Sequence, residues 1–203
     1  MTMTRHEGLF LSGFLTLKIQ AEHLDKVKIS ISENGLVKYY PDGKTAVVYE
    51  PNGFVSGGLN LALDRLCGIG SPAAIGFIGV SNSTSSVTVA TTFLNGGVAG
   101  AAANTIILPI SPAFTSTGLT RTAGATFTSA SFTAGVFIIN KVGFLNTSTD
   151  AGTGLIDVIG GTGGSDPFSR TFSVDFTNAG SFTLIPQISI SAINSKATFP
   201  TPL

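Results

Sequence analysis

Residues 74–90 read AIGFIGVSNSTSSVTVA. Ile75, Phe77, Ile78 and Val80 make an apolar run of strand length, Asn82 to Ser86 are all Ser, Asn or Thr, and Val87 and Val89 open a second β-branched run. β-Branched and aromatic side chains suit a pleated, half-buried surface, whereas short hydroxyl and amide side chains suit the connection between two such surfaces. The stretch therefore predicts two strands to pack and a loop to expose, with no reactive group.

The same style continues downstream. Residues 73–80, 87–93, 105–110, 125–133, 136–145, 155–159, 168–176 and 182–193 are rich in Val, Ile, Phe and Thr, with Gly, Ser, Asn or Pro clusters between them. Strand signals at that spacing predict a β-sandwich or jelly roll. Alternation is legible where Phe168, Arg170, Phe172, Val174 and Phe176 interleave with Ser169, Thr171, Ser173 and Asp175. Phe182, Leu184, Ile188 and Ile190 likewise lie in phase, while Pro186 predicts an edge strand or a bulge, because proline donates no ladder hydrogen bond.

Upstream, Leu15–Ile19 and Val27–Ile31 alternate apolar and polar residues. Glu33-Asn34-Gly35 leads into Leu36–Tyr40, and Pro41-Asp42-Gly43-Lys44 leads into Thr45–Tyr49, with the turn chemistry of tight hairpins. Residues 56–68 predict a helix capped by Ser56, closed by Gly68, with Leu59, Leu63 and Leu66 on one face. The expected layout is mainly β: a small antiparallel N-terminal β-meander (1–55), a connecting helix (56–70), a larger β-sandwich or jelly-roll-like domain (71–193) and an extended C-terminal arm (194–203).

Composition bounds what such a fold can do. Eleven basic residues balance eleven acidic ones in 203 residues, so no global field recruits nucleic acid or an anionic membrane. Charged residues make up 11% of the chain and mean hydropathy is +0.41, against about 25% charge in an ordinary soluble domain. A broad neutral surface of that kind implies cover by other subunits. The N-terminal segment lacks a leader-type cleavage pattern and no apolar run is long enough to span a bilayer, which predicts a protein made in a cytosol.

Candidates for chemistry are few. Cys67, the one cysteine, lies beside Leu63, Leu66 and Ile69, which predicts a buried apolar role. The two histidines, His6 and His23, are expected to be solvent-exposed, and Glu22-His23-Leu24-Asp25 to be a polar hairpin end rather than a metal site. Asp150, Asp157, Asp166 and Asp175 are scattered singly, and the absence of Trp removes the usual sugar platform. The run Gly160–Pro167 lacks the Lys-Ser/Thr ending of a phosphate loop, so a hairpin loop is expected. Asn82-Ser83-Thr84 and Asn146-Thr147-Ser148 match the glycosylation acceptor pattern as any Ser/Thr-rich chain would. Neither catalytic residues, a metal nor a cofactor is expected.

The helix Gly57-Gly58-Leu59-Asn60-Leu61-Ala62-Leu63, the strand and loop 74–85, the segment Arg121-Thr122-Ala123-Gly124-Ala125-Thr126, and Lys141-Val142-Gly143-Phe144-Leu145-Asn146 follow one another in an order that resembles a class of tailed-bacteriophage virion proteins. In that class a strand of the form I-G-x-I-A-V-G-x-G-x-T follows a helix, a central R-x-x-A-T segment comes next, and a later strand carries E-A-G-L-F-N. Here Lys141 and Val142 stand where an acidic residue and Ala are usual, and Ser81-Asn82-Ser83 where glycines are. The resemblance implies a non-enzymatic β-rich assembly protein located in the virion. A capsid decoration, or cement, protein is the expectation, with the major capsid protein and copies of itself, in a trimer, as partners. Residues 1–14, 125–133 and 197–203 are the expected interface elements, and a tail or fibre receptor-binding protein is the alternative.

Overall fold

A computed structural model describes residues 7–54, 56–70, 73–85, 87–88, 90–92, 94, 105–111, 113–117, 120–132, 137–150, 154–160 and 171–196. The fold is mainly β, with antiparallel sheets, an N-terminal meander and a helix, consistent with a β-sandwich.

At the centre stand the first and last strands. β1 (Glu7–Ala21) pairs antiparallel with β14 (Phe182–Lys196) along all 15 residues, from Glu7↔Lys196 to Ala21↔Phe182. Alternation dictates which side faces inward: Leu15, Leu17 and Ile19 are fully buried while Lys18 and Gln20 are exposed. Leu184 and Ile188 answer them from β14. On the other side of β1 lies β4 (Thr45–Phe54), joined to β3 (Leu36–Tyr39) by the hairpin through Pro41. That turn is closed by the Gly43 amide donating to the Tyr40 carbonyl at 3.2 Å, and Gly43 takes φ +66°, which glycine adopts without a Cβ penalty. Asp42 braces it by accepting from the Lys44 and Thr45 amides and the Thr45 hydroxyl.

Beyond residue 52, β4 leaves β1 and pairs with β12 (Leu155–Gly160), which continues to β11 (Lys141–Leu145), β5 (Phe77–Ser81) and β6 (Thr105–Pro109). β14 carries on its outer side β9 (Phe127–Thr128) and then β8 (Thr120–Gly124), itself paired with β7 (Thr115–Thr117). These strands make an 11-stranded sheet, and β10 (Ile138–Ile139), β13 (Ser173–Asp175) and β2 (Lys28–Ser30) make a second of three strands. Strands from 1–55 and from 71–193 are thus hydrogen-bonded into one sheet.

Both halves of the large sheet feed one core. Ile78, Val80, Val142 and Phe144 share a single apolar cluster with Leu15, Leu17, Ile19 and Val48, and Phe172, Val174 and Phe176 enter it from the second sheet. A ring group closes one end: Phe182 stacks on Phe176 at 4.2 Å between centroids and meets Phe137 edge-on at 5.9 Å.

Three sequence expectations are corrected. β14 is neither an edge strand nor bulged at Pro186: the proline falls in the interval where the neighbour changes from β9 to β8, and its carbonyl accepts the Ala125 amide at 3.3 Å. Residues 125–133 hold only the short β9 before a 3-10 turn at Ser129–Ser131, closed by a Thr128/Ser131 capping box. Among the described residues of 87–93 there is no strand; Val87 and Leu94 are instead buried with Leu145, Leu155 and Val158 in a second, smaller cluster. In the loop of 82–94, Val87 and Leu94 therefore tuck against the outer face of β11, while Thr84, Thr88, Ala90 and Thr92 stay exposed.

Candidate interaction surfaces

The loop just described is held by polar contacts from beneath. Asn140 donates through Nδ2 to the Asn82 carbonyl at 2.6 Å, the Lys141 ammonium donates to Ser85 Oγ at 2.6 Å, and the Leu94 amide donates to Asp150 at 2.8 Å. Lys141 is fully buried on β11. Burial pushes its pKa from 10.5 down to about 8, and Asp150 opposes that shift. Ser83 and Ser85 share a hydroxyl contact at 2.9 Å, each only partly exposed. The group anchors a loop over a core cluster and was not visible in the sequence, where Ser85 and Lys141 lie 56 positions apart.

A second buried charge, Glu50, lies on β4, where its carboxylate accepts from the Ser32 amide and hydroxyl, both at 2.7 Å. It locks the segment after β2 against the sheet.

The candidate chemical groups stay apart. Among the described residues, no three His, Cys, Asp or Glu side chains gather where a metal could bind. His23 is about half exposed, 3.9 Å from Glu22, at the entry to a 3-10 turn that buries Leu24. Asp175 accepts the Thr177 amide at 2.9 Å, and hydrogen bonds from Thr177 hold its pKa down. His6, Asp166 and residues 161–167 lie outside the described residues, as do the side chain of Asp157 and residues 197–203.

Four surface features remain. An open polar groove of about 830 Å³ at the end of β1 is lined by Gln20, Glu22, Asp42, Lys44, Ser181 and Thr183, among others. Ser181 donates to Glu22 through its amide and hydroxyl, each at 3.2 Å, and these bonds hold the Glu22 pKa down. An apolar groove of about 480 Å³ runs between Leu61, Ile75, Phe114 and Ile190, with Arg65 and Arg121 at its rim.

The third is the helix. α1 (Ser56–Cys67) packs on β12 and β4, ends with Gly68 at φ +66°, and the Ile69 amide closes back on the Asp64 carbonyl at 2.9 Å in a Schellman arrangement. The residue packed against the core is Leu61, while Leu59, Leu63 and Leu66 are 42%, 57% and 71% exposed. The shared leucine face thus points away from the molecule. Cys67 is exposed, contrary to the buried role its neighbours predicted: those neighbours share its outward face.

The fourth is a ribbon. β4 pairs with β1 only from Gly13 onward, and β8 pairs with β14 only as far as Ser191. Among the described residues the pairs from Glu7↔Lys196 to Leu11↔Ala192 have no further strand beside them. At about 3.4 Å per residue this two-stranded ribbon runs roughly 15 Å past its neighbours.

No protein-family model, curated protein or solved structure matches the chain. Among the described residues no helix is long and apolar enough to cross a membrane.

Proposed function

We propose that this chain is a non-enzymatic structural protein of a tailed-bacteriophage particle, a decoration or cement protein that binds the assembled head and bridges capsid subunits. The observation that carries the reading is the ribbon of β1 and β14, which extends past the sheet with both outer edges unflanked among the described residues. Exposed strand edges are templates for pairing with another chain, and a ribbon gives them reach across a subunit boundary. Low charge supports the same reading: a neutral surface associates by burying area rather than by steering, and protein bound only to the closed shell stabilises that shell by mass action.

The test is to add the purified protein to heads that lack it, then follow binding by cryo-electron microscopy and rupture by thermal challenge. Ordered density at lattice positions and a raised rupture temperature are expected; absence of head binding overturns the reading.

The polar groove favours a second reading, a tail or fibre receptor-binding protein. Its carboxylates and hydroxyls would accept and donate hydrogen bonds to a polyhydroxylated surface ligand. Adsorption of the purified protein to host cells without head binding would select it.

A further inference from the structure

We propose that the apolar groove beside α1, β8 and β14 binds an organic acid with an apolar body, its carboxylate held by Arg65 and Arg121 and its body lying on Leu61, Ile75, Phe114 and Ile190.

The chain is sparing with charge, and that makes the placement of its cations informative. It has four arginines, Arg5, Arg65, Arg121 and Arg170. Two of them, carried on separate elements, α1 and β8, meet at this one groove of about 480 Å³, and among the described residues no carboxylate lines it. Both are exposed to solvent. Arg121 donates through Nη1 to the Thr120 carbonyl at 3.1 Å. A guanidinium has five N–H donors in a planar fork, so one such bond does not exhaust it, and the fork matches the two oxygens of a carboxylate.

The apolar lining is set before anything binds. Leu61, Ile75 and Ile190 pack on the main core from one side, and the Phe114 ring stands 5.7 Å from that of the fully buried Phe144. Leu61 and Arg65 lie one turn apart on α1, so the helix brings an apolar contact and a cation to the same groove. The size decides the kind of occupant. A concavity of this volume falls within the roughly 300–1,000 Å³ of small-molecule sites, whereas a stable protein partner needs a broad face of about 800 Å² on each side. Apolar walls select an apolar body and paired guanidiniums select an anion. This goes beyond the particle reading and does not depend on it.

Calorimetric titration of the intact protein with octanoate tests the proposal, beside octanol and octyltrimethylammonium, which carry the same chain with no charge or the opposite one. Saturable 1:1 binding of octanoate is expected, with octanol weaker and the cation weakest. Arg65→Gln/Arg121→Gln should weaken octanoate about tenfold or more, because charge-assisted hydrogen bonds are lost, and leave octanol unchanged. Ala74→Glu, at an exposed position of the lining, sets a repelling carboxylate there and should weaken octanoate likewise. All three substitutions are on the surface, so thermal unfolding should match the wild type. No saturable binding of octanoate, equal affinity for octanol, or a double variant that keeps the wild-type affinity overturns the proposal. If octanoate does not bind and the double variant loses head binding, the groove takes a segment of the shell and the proposal is wrong, while the decoration reading stands.

Discussion

Lys141 shows what one buried charge does to this fold. Its ammonium is enclosed by the loop that Ser85 belongs to, and the pKa held near 8 lies below the 10.5 of an exposed lysine. The folded state therefore binds fewer protons than the unfolded chain between those two values, so this group makes stability rise as pH climbs from 8 to 10.5. Below 8 the full cost of the buried charge is present, up to about 3 kcal/mol. Lys141→Met removes the titration. Its stability relative to wild type should be greatest below pH 8 and shrink as pH rises to 10.5, measured by urea unfolding at both ends. A constant difference would mean that the ammonium is solvated in the folded protein.

At the level of the elements, the ring cluster joins pieces that the backbone ladders leave separate. Phe182 opens β14, Phe176 follows β13, and Phe132 and Phe137 flank the approach to β10, with Phe132 at 5.3 Å from Phe182. Phe182→Ala should cost about 3–5 kcal/mol, read as a lowered denaturation midpoint, and should weaken the hold on the small sheet. The inward phase of these strands was legible in the sequence, since Phe172, Val174 and Phe176, and Phe182, Leu184 and Ile188, are buried as their alternation requires. The failures have physical causes. Val87 is apolar because it is buried, yet a loop can bury it as well as a strand can. Leu59, Leu63 and Leu66 have the periodicity of a core face, and periodicity marks which residues share a side without saying whether that side meets the molecule's own core. Lys141 beneath the loop that carries Ser85, and Glu50 beside Ser32, depend on tertiary placement alone.

For the molecule as a whole, the ribbon can be separated from the body. The pairs from Glu7↔Lys196 to Leu11↔Ala192 lie beyond the strands that flank them, whereas the buried side chains of β1 begin at Leu15 among the described residues. Removing residues 192–203 should leave a cooperative unfolding transition close to that of the intact protein and abolish binding to heads. Retained head binding would place the contact elsewhere on the surface. The sequence marked 1–14 and 197–203 as separate contact segments; that residues 7–11 and 192–196 share one ribbon is a fact of topology, which local patterns do not encode.

The pairing of β1 with β14 also imposes an order on synthesis. β1 leaves the ribosome early, but the neighbour that completes its hydrogen bonding is made after nearly all the intervening chain. Until then β1 has β4 on one side and an open edge on the other, and contacts so distant in sequence close slowly. The nascent chain must therefore keep an apolar strand from pairing with strangers during translation.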